Sequence, residues 1–229
     1  MKKLTVTPTR TETLLGLAYI PIQLLVLPFI LLQVNLLLES PLSAAQLNFI
    51  LFCLDFICVT VIFRRFLLES LKHGLSMPWR LLRFAALGLL LYWVGSFIVN
   101  YIIVAIRPDF SNVNDASISQ LTKQNYNLMA ISTVLLVPIT EETLYRGMIF
   151  GKLYERNSIM GYVLSALLFA LLHVIGYIGQ YETAHLLLCY LQYIPAGLCL
   201  AWAYVKADTI WAPILMHITI NQIGVMAMR

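Results

Sequence analysis

"PITEETLYRGMIF", residues 138–150, places two adjacent glutamates and an arginine inside an apolar segment that extends from about residue 128 to residue 152. Ionised side chains are costly in a lipid bilayer, and those found there are usually functional. Two interpretations are therefore open. The charges neutralise each other as a structural ion pair, or at least one of them takes part in a reaction.

The rest of the chain has the composition of a membrane protein. Of its 229 residues, 60% are hydrophobic and only 11% are charged, and the mean hydropathy is +0.83. A soluble domain carries about 25% charged residues. The sequence also lacks the basic aromatic stripe that is typical of nucleic-acid binding. We therefore predict an integral membrane protein, in contact with the lipid bilayer and without a nucleic-acid partner.

Apolar segments divide the chain at regular intervals, and each is close to the ~20 residues needed to span a bilayer. They predict an all-α fold, a polytopic transmembrane bundle of about seven to eight helices. We divide it into N-terminal membrane helices, residues 1–127, and a helical core, residues 128–229, within one integral membrane domain. The segments cover residues 13–38, 46–63, 82–106, 128–152, 159–178, 185–205 and 209–228.

Basic residues orient the predicted bundle. Twelve lysines and arginines precede the first segment or lie in the loops on the same side, and three lie on the other side. Because cytoplasmic loops are enriched in Lys and Arg, this predicts a cytoplasmic N-terminus. The amphipathic stretch 64–83 is expected to lie on the cytoplasmic surface, and residues 107–127 to form an external polar loop. The short loops and the basic face favour a bacterial inner membrane.

The charged turn itself indicates different surroundings for its two glutamates. Glu142 and Arg146 are four residues apart, so they share one helical face and can form an ion pair. Glu141 is rotated by about 100° from Glu142, since 3.6 residues make one turn. Glu141 therefore has no local cation and is a candidate for proton transfer.

Three more polar residues fall within apolar helices. His173 ends "FALLH" (169–173), and His217 and Asn221 lie four apart in "HITIN" (217–221). Each has an ordinary structural explanation, such as a buried histidine or an interhelical hydrogen bond. Counted from the cytoplasmic ends at 1.5 Å per residue, however, Glu141, His173 and His217 lie at depths of about 17, 21 and 12 Å. Similar depths on three helices predict one polar cluster.

Prolines precede two of these motifs. Pro138 lies three residues before Glu141, and Pro213 four residues before His217. A proline removes a backbone hydrogen bond and bends a helix. We therefore expect kinks at both positions, which would open a polar, water-bearing cavity at the cluster.

Together the motifs EETLYR, FALLH and HITIN resemble the EExxxR, FxxxH and HxxxN motifs of the CPBP family. This is the CAAX protease and bacteriocin-processing, or Abi, family of intramembrane proteases. The resemblance covers residues 128–229. It implies a glutamate-dependent endopeptidase in which Glu141 is the catalytic base beside His173. It further implies that His217 and Asn221 stabilise the oxyanion, while Glu142 and Arg146 support the site.

The resemblance implies hydrolysis of a peptide or protein substrate, of the CAAX type or in bacteriocin and peptide processing. The residue types suit such hydrolysis without a cofactor. Glu141 can deprotonate water, and the N–H groups of Asn221 and His217 can stabilise an oxyanion. Two alternatives use the same residues. Glu141, His173 and His217 could bind catalytic zinc, although the chain has no HExxH. The protein could also be a non-catalytic bacteriocin-immunity or scaffold protein. The sequence does not predict an oligomeric state.

Overall fold

The computed structural model describes residues 3–228 and is all-helical. Lys2 and Arg229, which enter the count of basic residues above, lie outside the described residues. Nine helices and no β-strand occur in residues 3–228: α1 Arg10–Leu36, α2 Ala44–Ile62, α3 Arg64–Ser76, α4 Pro78–Ile106, α5 Val113–Gln124, α6 Tyr126–Arg156, α7 Ser158–Val174, α8 Thr183–Ala207 and α9 Trp211–Ala227.

Six of the described helices are long and apolar enough to cross a bilayer: α1, α2, α4, α6, α8, and α7 with the 3₁₀ turn that follows it. This confirms the predicted polytopic helical bundle and an integral membrane protein. The seventh predicted segment, 209–228, forms α9, which has 17 residues. It is therefore slightly shorter than the ~20 residues that span the hydrocarbon core.

Side-chain caps explain where several helices begin. Thr9 and Glu12 form a capping box at the start of α1, and Ser43 and Gln46 do the same for α2. In this arrangement each side chain accepts a hydrogen bond from a backbone N–H that lacks a helical partner. Asn157 caps α7 in a simpler way, through the N–H of Met160.

The predicted surface helix 64–83 is wrong in its extent. Helix α3 ends at Ser76, and Pro78 starts the long α4. Proline is favoured in the first turn of a helix and cannot continue one without losing a hydrogen bond. Residues 78–83 therefore form the first turns of a membrane helix.

The predicted external loop 107–127 is also wrong, because most of it is the helix α5. Asn112 caps this helix by accepting hydrogen bonds from the N–H groups of Asn114 and Asp115. The sequence VNDASISQLTKQ is too polar for a membrane span, and its helical character is set mainly by this cap and by packing onto the bundle.

Prolines within two of the long helices are accompanied by π-helical turns. Helix α1 continues past Pro21 through a π-helical turn, Ile22–Val26, and a similar turn, Ser132–Leu136, lies just before Pro138 in α6. A π-turn widens the backbone where a proline removes a donor. The expected kink at Pro213 is wrong, because Pro213 is the third residue of α9, where its missing N–H breaks no bond within the helix.

Candidate active site

The charged turn of α6 lies in the most deeply buried part of the bundle. Residues Glu142–Phe150 form a π-helical segment in which all side chains but Ile149 are buried. Nη1 of Arg146 donates to Oε1 of Glu142 at 3.0 Å, and both side chains have 0% exposure. The ion pair expected from the four-residue spacing is therefore present.

Helix α9 adds a contact that spacing along the chain does not predict. Nδ1 of His217 lies 2.9 Å from the same Oε1 of Glu142. Across this group, the guanidinium carbon of Arg146 lies 4.0 Å from the centre of the Phe169 ring of α7. A cation above an aromatic face is stabilised by the ring electrons. The group of Arg146, Glu142 and His217 therefore links three helices, and Glu142 holds the His217 ring in one orientation.

His173 is oriented by its own helix. Its Nδ1 lies 2.8 Å from the carbonyl oxygen of Phe169, and its ring stacks on Tyr193 of α8 at 4.1 Å between centroids. A carbonyl oxygen only accepts, so Nδ1 carries the proton. In neutral His173, Nε2 is therefore unprotonated and can accept a proton or a hydrogen bond.

Asn221 is held by α6. Its Nδ2 donates to the carbonyl oxygen of Thr133 at 2.8 Å, within the π-helical turn described above. An amide nitrogen has two hydrogens, so one N–H remains for another acceptor. Because Asn221 is one turn beyond His217 on α9, both side chains approach α6 from the same helix face.

A cavity of about 490 Å³ brings the predicted residues together. Glu141, His173, His217 and Asn221 all line it. Glu142 and Arg146 are not among its lining residues, and Glu142 is reached from the cavity lining through its contact with His217. The two glutamates therefore have different surroundings, one at a cavity and one inside a buried ion pair.

The far side of the cavity is polar and was missed by sequence reasoning. Asn112 donates to Gln192 at 2.6 Å, and Gln192 donates to Asn100 at 2.6 Å. These amides line the cavity together with Asn114 and Asp115 of α5. Desolvation raises the pKa of the Asp115 carboxyl, and a hydrogen bond from Tyr193 acts in the opposite direction. The polar composition of residues 107–127 was visible in the sequence. That these residues line the cavity could not be inferred, because it depends on how α5 packs over the site.

The donors are not arranged as a metal centre. Within the described part of the chain, no three His, Cys, Asp or Glu side chains form a group that could hold a metal ion. His173 and His217 each use Nδ1 for a protein contact, which leaves Nε2 of each ring for another partner. The set Glu141, His173 and His217 does not form such a group within the described residues.

Comparison with known sequences identifies the segment that carries this site. A sequence model described as type II CAAX prenyl endopeptidase Rce1-like matches residues 123–223. The similarity to this family covers less than half of the chain. The match includes Glu141, His173, His217 and Asn221, so every side chain placed at the catalytic end of the cavity falls within the Rce1-like segment.

A curated relative supports the same class of protein. The Bacillus subtilis (strain 168) protein called "Putative membrane peptidase YdiL" is 34% identical over 95 residues, which is 41% of this chain. The match spans about a third of that protein's length (34%). No solved structure matches the chain. The chain is thus similar to these two groups of proteins over part of its length.

Proposed function

We propose that this protein is an intramembrane endopeptidase in which Glu141 activates the attacking water. The observation that carries the proposal is the convergence of Glu141, His173, His217 and Asn221 on one cavity. A peptide bond inside a bilayer cannot be hydrolysed unless water reaches it, and a cavity lined by polar groups supplies that water.

Glu141 and His173 are suited to hold the nucleophile. Glu141 and His173 both line the main cavity, and Nε2 of neutral His173 is an acceptor. A water molecule between them can donate one hydrogen to each and direct its lone pair at a carbonyl carbon. Loss of its proton to Glu141 generates the attacking hydroxide.

We assign stabilisation of the oxyanion to two side chains of helix α9, Asn221 and His217. Asn221 keeps one amide N–H after its bond to Thr133. His217 points Nδ1 at a carboxylate, so it can donate from Nε2 only as an imidazolium. Oε1 of Glu142 lies 2.9 Å from Nδ1 and orients the ring. We therefore extend the expected supporting role of Glu142 to the positioning of His217 beside the oxyanion.

We propose a route without a metal cofactor. Asn221, which lines the cavity beside Glu141, is a poor zinc ligand and a good oxyanion donor.

We further propose that the substrate is a peptide or protein segment in the membrane, and that the protein lies in a bacterial cytoplasmic membrane with its N-terminus cytoplasmic. The amides of Asn112, Asn114 and Gln192 suit hydrogen bonding to the backbone of an extended peptide. The sidedness rests on the distribution of basic residues.

A comparison of protein termini tests the proposal without a known substrate. Membranes from cells expressing wild type, Glu141→Gln or Glu69→Gln are digested and their new N-termini identified by mass spectrometry. Glu69 lies in an exposed ion pair on α3 and serves as the control. We expect a set of termini that wild type and Glu69→Gln produce and Glu141→Gln lacks, with turnover lowered by about 10²–10⁴.

Two results would contradict the proposal. Folded Glu141→Gln protein could produce the same termini as wild type, which would remove Glu141 as the base. Wild type could also produce no termini beyond those of cells without the protein, which would favour the non-catalytic alternative.

A further inference from the structure

A second, smaller cavity lies on the other side of the Glu141 carboxyl. Its volume is about 30 Å³, and its lining residues are Gln23, Phe52, Asp55, Val137, Thr140 and Glu141. Phe52, Val137 and Glu141 line the main cavity as well. The Glu141 side chain therefore separates an outer cavity, where we place the reaction, from an inner one formed with α1 and α2.

Buried polar atoms at the inner cavity lack partners. Oε2 of Glu141 and Oε1 of Gln23 are both inaccessible to solvent and accept no hydrogen bond. Such atoms are rare in folded proteins, and ordered water is a common explanation. A water molecule needs a volume of about 10–15 Å³ and two to four polar partners. The inner cavity provides both, with room for one or two molecules.

Asp55 is the third polar group at this cavity, and its position is well defined. Its side chain is 4% exposed, and Oδ1 accepts a hydrogen bond of 2.6 Å from the hydroxyl of Tyr19 on α1. Asp55 lies on α2, outside the segment 123–223 that matches the family. An acidic side chain buried this deeply in a membrane helix calls for a functional explanation.

We propose that the inner cavity binds water between Glu141, Asp55 and Gln23, and that Asp55 is a positioning residue that controls the protonation of Glu141. The catalytic meaning of this site rests on the proposed function. When Glu141 takes a proton from the attacking water, the inner water passes a proton from Glu141 to Asp55. The same path returns it when the leaving amine has to be protonated, so Glu141 and Asp55 end the cycle as they began.

Several other titratable groups interact electrostatically with Glu141 and must be kept constant in any test. They include His173 on the neighbouring α7 and Tyr145 and Arg146 on α6, the helix of Glu141 itself. His217 and Glu142 contact each other beside this group. Asp55 differs from these groups because it is the acidic side chain that shares the inner cavity with Glu141.

Infrared titration of the full chain in lipid nanodiscs tests the coupling without a substrate. The carboxyl band that disappears in Glu141→Gln is assigned to Glu141. In Asp55→Asn we expect this band to titrate at a pH lower by at least about one unit, because a like charge has been removed. Tyr19→Phe should produce a smaller shift. Tyr204→Phe removes a buried hydroxyl without a partner elsewhere and should produce none.

Activity on a substrate found by the comparison of termini completes the test. Asp55→Asn should lower kcat by about ten- to a hundredfold, as for groups that orient catalytic side chains, leave KM unchanged and extend activity to lower pH. An Asp55→Asn protein with the kcat, pH profile and Glu141 band of wild type would overturn the inference. If Glu141→Gln retains activity, the proposed function fails, whereas the infrared shift still decides whether the two carboxyls are coupled.

Discussion

Adjacent glutamates on α6 have opposite environments. Glu142 has 0% exposure and contacts both Arg146 and His217 through one oxygen. Glu141 lies between two cavities, and its Oε2 has no hydrogen-bond partner. A buried pair of this kind depends on both of its members, whereas an unpaired carboxyl at a cavity can meet a water molecule or a substrate.

Stability measurements should separate the two glutamates. Removing one member of a buried ion pair leaves a buried charge and costs about 3–5 kcal/mol. Arg146→Ala and Glu142→Ala should therefore both lower the melting temperature in detergent, and Glu142→Ala also removes the partner of His217. Glu141→Ala should melt at or above the wild-type temperature, because functional sites often reduce stability.

Peptidase activity is measured on the same variants, so that a loss of activity can be compared with a loss of stability. Glu69→Gln, on the surface of α3, should match wild type in both measurements. If Glu141→Ala melts first and the other two variants melt like wild type, the structural and catalytic roles are reversed.

Metal content gives a second prediction at this scale. Purified active protein should contain less than stoichiometric zinc and retain its activity in chelators, because no three His, Cys, Asp or Glu side chains of residues 3–228 are grouped as metal ligands. One equivalent of zinc that is lost together with activity in both His173→Ala and His217→Ala, and restored by added zinc in wild type, would establish the alternative mechanism.

The sequence predicted some of these residue contacts for a clear reason. The pair Glu142–Arg146 depends only on helical spacing, so it could be inferred from "EETLYR". The contact between His217 and Glu142 depends on how α9 approaches α6, and no spacing along one helix contains that information. The hydrogen bonds of His173 and Asn221 to backbone carbonyls were likewise out of reach.

Small residues set the distance between α7 and α8. A Cβ atom added to Gly197 would lie 2.6 Å from Cα of Ala166 and 3.2 Å from its carbonyl oxygen. These are backbone atoms, so they cannot move aside as the end of a side chain could. Close approach of this kind is how small residues stabilise packing between membrane helices.

Gly197→Ala should therefore destabilise the bundle by about 1–3 kcal/mol, the usual cost of overpacking. The melting temperature in detergent measures the effect. Gly176→Ala is the matched control, because nothing lies within 4 Å of its added Cβ. Equal melting temperatures for the two variants would show that α7 and α8 can separate without cost.

The helices themselves were predicted more accurately than their connections. Long apolar segments identify membrane helices whatever their neighbours are, so α1, α2, α4, α6, α7 and α8 were all expected. The helix α5 is polar, and its fold depends on the Asn112 cap and on contacts with α8. A proline disturbs the hydrogen bonding of a helix, and π-helical turns lie near Pro21 and Pro138. The sequence predicted a kink at Pro138 but not the π-helical form of the backbone.

At the scale of the whole molecule, the bundle has two chemically different ends. At one end Arg80 donates to the carbonyl oxygen of Lys206 at 2.9 Å, and the hydroxyl of Thr5 donates to Asp208 at 2.8 Å. At the other end Arg107 lies 3.7 Å from Glu182. The basic loops of the sequence therefore meet on one face of the protein, and α5 lies on the opposite face.

Labelling of single cysteines should detect this polarity. In a variant whose four native cysteines are replaced by serine, Asp109→Cys should react with a membrane-impermeant maleimide in intact spheroplasts, whereas Glu69→Cys should react only after permeabilisation. Both side chains are well exposed, so accessibility alone does not bias the result. The reverse pattern would place the N-terminus outside and contradict the orientation inferred from the basic residues.

Osmotic pressure acts on any volume of water that large solutes cannot enter. The cavity of about 490 Å³ beside Glu141 is such a volume, and its polar rim lies on α5. Dextran should therefore slow hydrolysis in proportion to its osmolality, while glycerol at the same osmolality, being small enough to enter, should slow it less. The rate of cleavage would then follow the water activity of one compartment, the one that α5 faces.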